Sequence, residues 1–166
     1  MRLLLVSDTH GKTEKLAGLL ETYKNSVAYV CHMGDYSSDL SRFEKKYPNL
    51  KMVYVNGNTD YAFYGQVEET ISVEPKEGTL KKILVVHGHK FGVKTSYDRL
   101  LYYAKEKQVH GVFFGHTHKA ACFLQDGVFC MNPGSLVFPV TGTGTYGLVS
   151  FTDDGEFVGE VLEYEQ

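Results

Sequence analysis

Leu3-Leu4-Leu5-Val6-Ser7-Asp8-Thr9-His10-Gly11, with the segment Thr13 to Tyr23 behind it, is the stretch that decides how the chain reads. Its four apolar residues form an unbroken run, which suits a strand covered on both faces. Asp8-Thr9-His10-Gly11 is a polar turn. Beyond it Leu16, Leu19, Leu20 and Tyr23 fall at i, i+3, i+4 and i+7, one face of a helix. The same order recurs. Val27 to Cys31 reads as a second strand, ending in His32-Met33-Gly34-Asp35. Leu40, Phe43 and Tyr47 then predict a helix over 39–47, stopped by Pro48. Met52 to Val55 is a third strand, closing in Asn56-Gly57-Asn58-Thr59-Asp60. Strand, polar turn and helix in repetition build right-handed βαβ units and a layered α/β fold.

Downstream the pattern changes. Gln66 to Val73 alternates enough for an edge strand. Lys82 to Val86 is a buried strand ending in His87-Gly88-His89, and Tyr97, Leu100, Leu101 and Ala104 mark the buried face of a helix near 96–107. Gly111 to Phe114 leads into Gly115-His116-Thr117-His118. From Lys119 onward helices stop. Ala121–Leu124 and Val128–Met131 read as a hairpin across Gln125-Asp126-Gly127, and 146–151 with 157–162 as another across Asp153-Asp154-Gly155. Such an order predicts two stacked mixed sheets with helices outside, a four-layer αββα sandwich forming one domain over 1–166. Its strand-end turns would share one rim, where open α/β sheets bind ligands.

The chain has 166 residues, long enough for a substantial core. Its net charge of −3, from 17 basic and 20 acidic residues, comes with no long run of either sign. That argues against a dedicated binder of long nucleic acid or of a membrane surface. No segment approaches the ~18 apolar residues of a membrane helix, and the opening run is too short for a signal peptide, so the expected location is cytoplasmic. Cys31, Cys122 and Cys130 match no metal or disulfide spacing and read as small buried hydrophobes.

The turns collect Asp8, His10, Asp35, Asn58, His87, His116 and His118. Imidazoles with carboxylates and an amide oxygen suit Mn, Fe, Zn or Ni, and are too nitrogen-rich for Mg or Ca. Seven ligands exceed what one ion with an open position would use; two divalent ions sharing a carboxylate would use them all. Such a pair lowers the pKa of a bridging water toward ~7 and clamps a phosphoryl oxygen. No Ser-His-Asp or Cys-His arrangement competes for the role of nucleophile. Asp-x-His or Gly-Asp alone carries little weight, since Asp before Gly is a common turn residue. Five such motifs, each after an apolar strand, carry much more. His32 and His110 flank strands and read as hydrogen-bonded core or rim residues.

In these motifs the sequence resembles the calcineurin-like metallophosphoesterases, and within them the small single-domain phosphodiesterases related to the retromer subunit of this fold. The resemblance runs from Leu3 to about Phe151 and takes in Asn132-Pro133-Gly134-Ser135. It implies the αββα sandwich and a dinuclear site, with Asp8, His10 and His118 on one ion, Asn58, His87 and His116 on the other, and Asp35 between them. It further implies a metal-dependent phosphoesterase, most readily a phosphodiesterase, acting through metal-bound hydroxide. Manganese is placed first among the ions, a small phosphate ester is the substrate, and a homo-oligomer is compatible. One departure stands out. Many catalytic members carry a His directly after the Asn, where this chain has Thr59, whose hydroxyl cannot act as an imidazolium acid. His89 is then the nearest candidate to hold the phosphate or supply a proton. Thr59 and Asp60 are expected to support the ligands from behind; Tyr36, Tyr61, Phe63 and Tyr64 read either as lining the rim of the cleft or as surface turn aromatics. In the retromer relative the His of Asp-x-His is replaced; here His10 is present, which favours an enzyme over the alternative, a catalytically weak metal-binding scaffold for protein–protein interaction. A mononuclear zinc hydrolase would leave three or four ligands without a task.

Overall fold

The structure is a computed structural model and describes residues 1–61, 65–140 and 142–165. Phe63 and Tyr64 lie outside the described residues. The first sheet contains β1 (Leu3–Val6), β2 (Tyr29–His32), β3 (Lys51–Tyr54), β9 (Thr145–Phe151) and β10 (Phe157–Glu163), in the order β10-β9-β1-β2-β3. The second contains β4 (Glu68–Val73), β5 (Lys81–Val86), β6 (Gly111–Phe113), β7 (Ala121–Gln125) and β8 (Val128–Asn132), in the order β4-β5-β6-β8-β7. Both are mixed. β1, β2 and β3 run parallel, as do β5, β6 and β8, while β9, β10, β4 and β7 pair antiparallel.

Side-chain alternation sorts the apolar residues into three clusters. Leu3, Leu5, Cys31, Ile83, Val85, Phe113 and Met131 pack between the two sheets. Leu4, Val6 and Val30 face the other way and meet Leu16, Leu19 and Leu20 of α1 (Glu14–Tyr23) and Leu40 of α2 (Ser38–Ser41). Leu84, Val86 and Val112 meet Leu100, Leu101 and Ala104 of α3 (Asp98–Glu106). The two faces of each strand thus serve different layers, which is why β1 shows no polar alternation. The result is the four-layer αββα sandwich.

Register sets the rim. Val6 is level with His32 and His32 with Tyr54, so β1, β2 and β3 end in step. In the second sheet Val85 is level with Phe113 and Phe113 with Met131. The turns after these strands therefore emerge side by side.

Two expectations need correction. The helix expected over 39–47 is α2 over only four residues, and the chain continues through i→i+3 turns such as Phe43 N–H to Leu40 and Lys46 N–H to Phe43. Phe43 and Tyr47 still pack inward, so the apolar spacing reported burial rather than α-helix. Cys122 is exposed, because it sits on the edge strand β7, while Cys31 and Cys130 are buried and burial pushes both thiols up to about 12. No helix among the described residues is long and apolar enough to cross a membrane.

Candidate metal centre

Each turn is held to its neighbours before any ligand is considered. Asp8 N–H donates to the Gly34 carbonyl at 3.0 Å and Gly115 N–H to that of His87 at 3.0 Å, joining turns within each sheet. His116 N–H reaches Asp8 Oδ2 at 3.3 Å, joining one sheet to the other. Asp8, His10, Asp35, Tyr36, His116 and His118 all adopt positive φ, between 47° and 72°. Non-glycine residues there cost of order 1–3 kcal/mol each and cluster where function demands them.

The side chains converge in two groups. Donor atoms of Asp8, His10, Asp35 and His118 lie within 4.8 Å of one another. Beside them, His87 Nε2 lies 3.1 Å from both Asn58 Oδ1 and His116 Nδ1. Asp35 stands between the groups, with Oδ1 3.4 Å from His87 Nε2 and Oδ2 3.7 Å from His10 Nε2.

Proton bookkeeping tests whether these donors suit a cation. His87 Nδ1 lies 2.6 Å from the Met33 carbonyl and His118 Nδ1 2.7 Å from that of Phe138. A carbonyl only accepts, so both Nδ1 atoms carry the proton and both Nε2 atoms can offer a lone pair inward. His118 Nε2 then faces Asp8 Oδ1 at 3.1 Å, an approach that only a cation makes favourable, whether a proton on the ring or an ion between them. Among the described residues, Asp8 Oδ1 and His10 Nε2 are buried with no aligned hydrogen-bond partner. Orphaned donor atoms pointing at a common centre fit a divalent ion.

Electrostatics follow the same layout. The Asp8 carboxyl is raised by burial, but the close approach of His118 and the nearby His87 outweigh this and hold it below the ordinary carboxylate value. The Asp8 contact raises the His118 pKa. Burial, then His87, pushes His116 down to about 4, which keeps it neutral and free to ligate. His89 lies on a single 3₁₀ turn, its ring centroid 5.4 Å from His87 and 6.1 Å from His116, and its Nδ1 is buried without a partner.

Asp60 Oδ2 receives Gly57 N–H at 2.7 Å and its Oδ1 receives Ser37 N–H at 2.8 Å, pinning the Asn58 turn to the Asp35 turn. Thr59 N–H donates to Asp35 Oδ1 at 3.0 Å. Tyr36 packs 5.7 Å from His10, ring to ring, whereas Tyr61 is 92% exposed. Sequence reading assigned no supporting role to Asp39, Asn132 or Ser135. Asp39 Oδ2 accepts from Thr9 Oγ1 at 2.7 Å and Gly11 N–H at 2.8 Å. Asn132 Nδ2 holds the Gly115 carbonyl at 2.9 Å and Ser135 Oγ the Asp8 carbonyl at 2.9 Å. The signal was the motif Asn132-Pro133-Gly134-Ser135 itself, which directly follows the apolar residues of β8. Phe138, 5.5 Å from His10, had none.

Residues 1–154 match the family described as calcineurin-like phosphoesterase superfamily domain. The probable metallophosphoesterase YsnB of Bacillus subtilis (strain 168) is 31% identical over 160 residues, 95% of this chain and 89% of that protein. A conserved protein from Streptococcus pneumoniae TIGR4, described as a predicted phosphoesterase, superposes with a TM-score of 0.81 at 25% identity, over 98% of this chain and 89% of that one. An archaeal phosphodiesterase superposes with a TM-score of 0.69 at 26% identity, over 98% of this chain and 100% of that one. The chain belongs to the calcineurin-like phosphoesterase superfamily.

Proposed function

We propose that the protein is a metal-dependent phosphodiesterase with two divalent ions, one held by Asp8, His10 and His118, the other by Asn58, His87 and His116, and both by Asp35. The observation that carries this reading is the position of Asp35, whose two oxygens face two different histidine groups. When bound, such a pair would supply a water whose pKa is lowered toward ~7 and positive charge beside the phosphoryl oxygens.

The chain's own residues do the rest. His87 and His118 keep their lone pairs inward because Met33 and Phe138 hold their other nitrogens. Lys90, Lys94 and Lys119 follow the ligand turns, form no ion pair among the described residues, and lie in segments (87–97 and 115–125) without an acidic residue. They draw an anionic ester toward the rim despite the net negative charge. His89 is assigned to the substrate: its ring faces the ligand imidazoles, and burial, then His87 and Lys90, makes it a stronger acid than an ordinary imidazolium. With Thr59 after Asn58, a proton for the leaving oxygen comes from His89 or from water.

The test is hydrolysis of bis(p-nitrophenyl) phosphate with added Mn or Ni, alongside metal content. Asp35→Ala and the near-isosteric Asp35→Asn are expected to lose bound metal and at least ~100-fold in kcat/KM. Undiminished turnover in either variant overturns the assignment.

A further inference from the structure

We propose that Tyr36 and Phe138 are seats for a planar ring of the substrate, so that the ester taken at this centre carries a nucleobase or a comparable aryl group. The inference rests on the phosphodiesterase reading above and names its substrate class.

Both side chains are large, apolar and left open, Tyr36 at 40% and Phe138 at 45% exposure. Neither belongs to any of the three core clusters, so their rings do not serve the packing of the sandwich. Their centroids lie 5.7 and 5.5 Å from the His10 imidazole. A phosphate held at the centre therefore puts its substituent within reach of both rings.

Their placement is fixed by the same turns that carry the candidate ligands. Tyr36 follows Asp35 and is held at φ 72°, a conformation disfavoured for an L side chain. Its ring lies over Gly11, where an added Cβ would stand 3.5 Å from it. Phe138 N–H donates to Ser135 Oγ at 2.8 Å, and its carbonyl holds His118 Nδ1 at 2.7 Å. The Lys12 ammonium sits 4.7 Å from the Phe138 centroid, adding a cation at the same corner. Exposed aromatic rings beside a phosphate site bind bases by stacking, with little dependence on which base is offered.

The test uses metal-loaded protein hydrolysing bis(p-nitrophenyl) phosphate, inhibited competitively by adenosine 5′-monophosphate or by ribose 5-phosphate. The two inhibitors share a sugar phosphate and differ in the base. The expected result is roughly tenfold tighter inhibition by the nucleotide. Tyr36→Leu and Phe138→Leu should each narrow that ratio and the double variant bring it near one, whereas Tyr36→Phe and Phe138→Tyr should preserve it. Equal inhibition of the wild type overturns the proposal while its hydrolysis of the diester leaves the phosphodiesterase reading standing. A ratio preserved in the Leu variants while kcat falls also overturns it, because the rings would then only position His10. If no metal supports hydrolysis, the phosphodiesterase reading fails, and calorimetric affinities of the two inhibitors decide the seats by the same ratio.

Discussion

Two histidines with similar sequence surroundings have opposite environments. His32 ends β2 three residues before Asp35, yet its ring is spent on structure: its Nδ1 accepts Gly34 N–H at 3.1 Å and its Nε2 donates to Thr9 Oγ1 at 2.9 Å. Burial pushes its pKa down to about 4. In the unfolded chain it takes up a proton near pH 6.5, so its contribution to stability is complete above pH 6.5 and is lost as pH falls toward 4. That loss is roughly 3 kcal/mol at ~1.4 kcal/mol per pH unit. His116 acts in the same direction, with a smaller share because it is partly open, and His118, whose pKa is raised, acts in the opposite one. Urea unfolding of chelator-treated protein at pH 7 and pH 5 should therefore show a clear fall, and His32→Gln a weaker pH dependence. An unchanged slope in that variant would remove His32 from the account. His89 is the contrasting case, touching the site without a partner of its own. His89→Gln is expected to lower kcat by ~100-fold with metal content intact, the signature of a group acting on substrate.

At the scale of elements, the strands were easy to read and the turns carry the chemistry. Continuous apolar runs at 3–6 and 83–86 mark strands buried on both faces. The cost of bringing their turns together falls on glycines and on strained ligands. Gly34 has φ 93°, and a Cβ there would stand 2.7 Å from Gly57 N and 2.8 Å from His87 Nδ1. Gly34→Ala should cost about 2–4 kcal/mol in chemical denaturation and weaken metal binding, since the backbone of the Asn58 turn cannot yield without moving its ligand. α2 shows the converse lesson. Its apolar spacing survives in burial, but its length did not follow: after Ser41 the chain continues in i→i+3 turns that still bury Phe43 and Tyr47.

At the scale of the molecule, the candidate ligands divide between the sheets: Asp8, His10, Asp35 and Asn58 follow strands of the first, His87, His116 and His118 strands of the second. Ions bound there would add a tie between two layers already joined by apolar packing and by hydrogen bonds between their turns, so metal should stabilise the whole sandwich. At a metal concentration of ~100 Kd the gain is about 2.7 kcal/mol, or roughly 5–10 °C in Tm for a chain of this size. Calorimetry with and without chelator measures it, and Asp35→Asn should abolish the shift. The sequence by itself determined the layers and named the candidate donors, because burial periodicity and the residue types at strand ends are local properties. It also placed Asp8, His10, Asp35, Asn58, His87, His116 and His118 on one rim, since parallel strands present their turns at the same end. Only the tertiary structure decided how those donors divide, which oxygen of Asp35 faces which imidazole, and which carbonyls set the histidine tautomers. Met33 and Phe138 contribute those carbonyls from backbone, whose position depends on register and layer packing rather than on residue type. Phe138 reaches His10 for the same reason: 128 positions separate them in the chain, and only the loop leading to β9, laid against β1, brings them together.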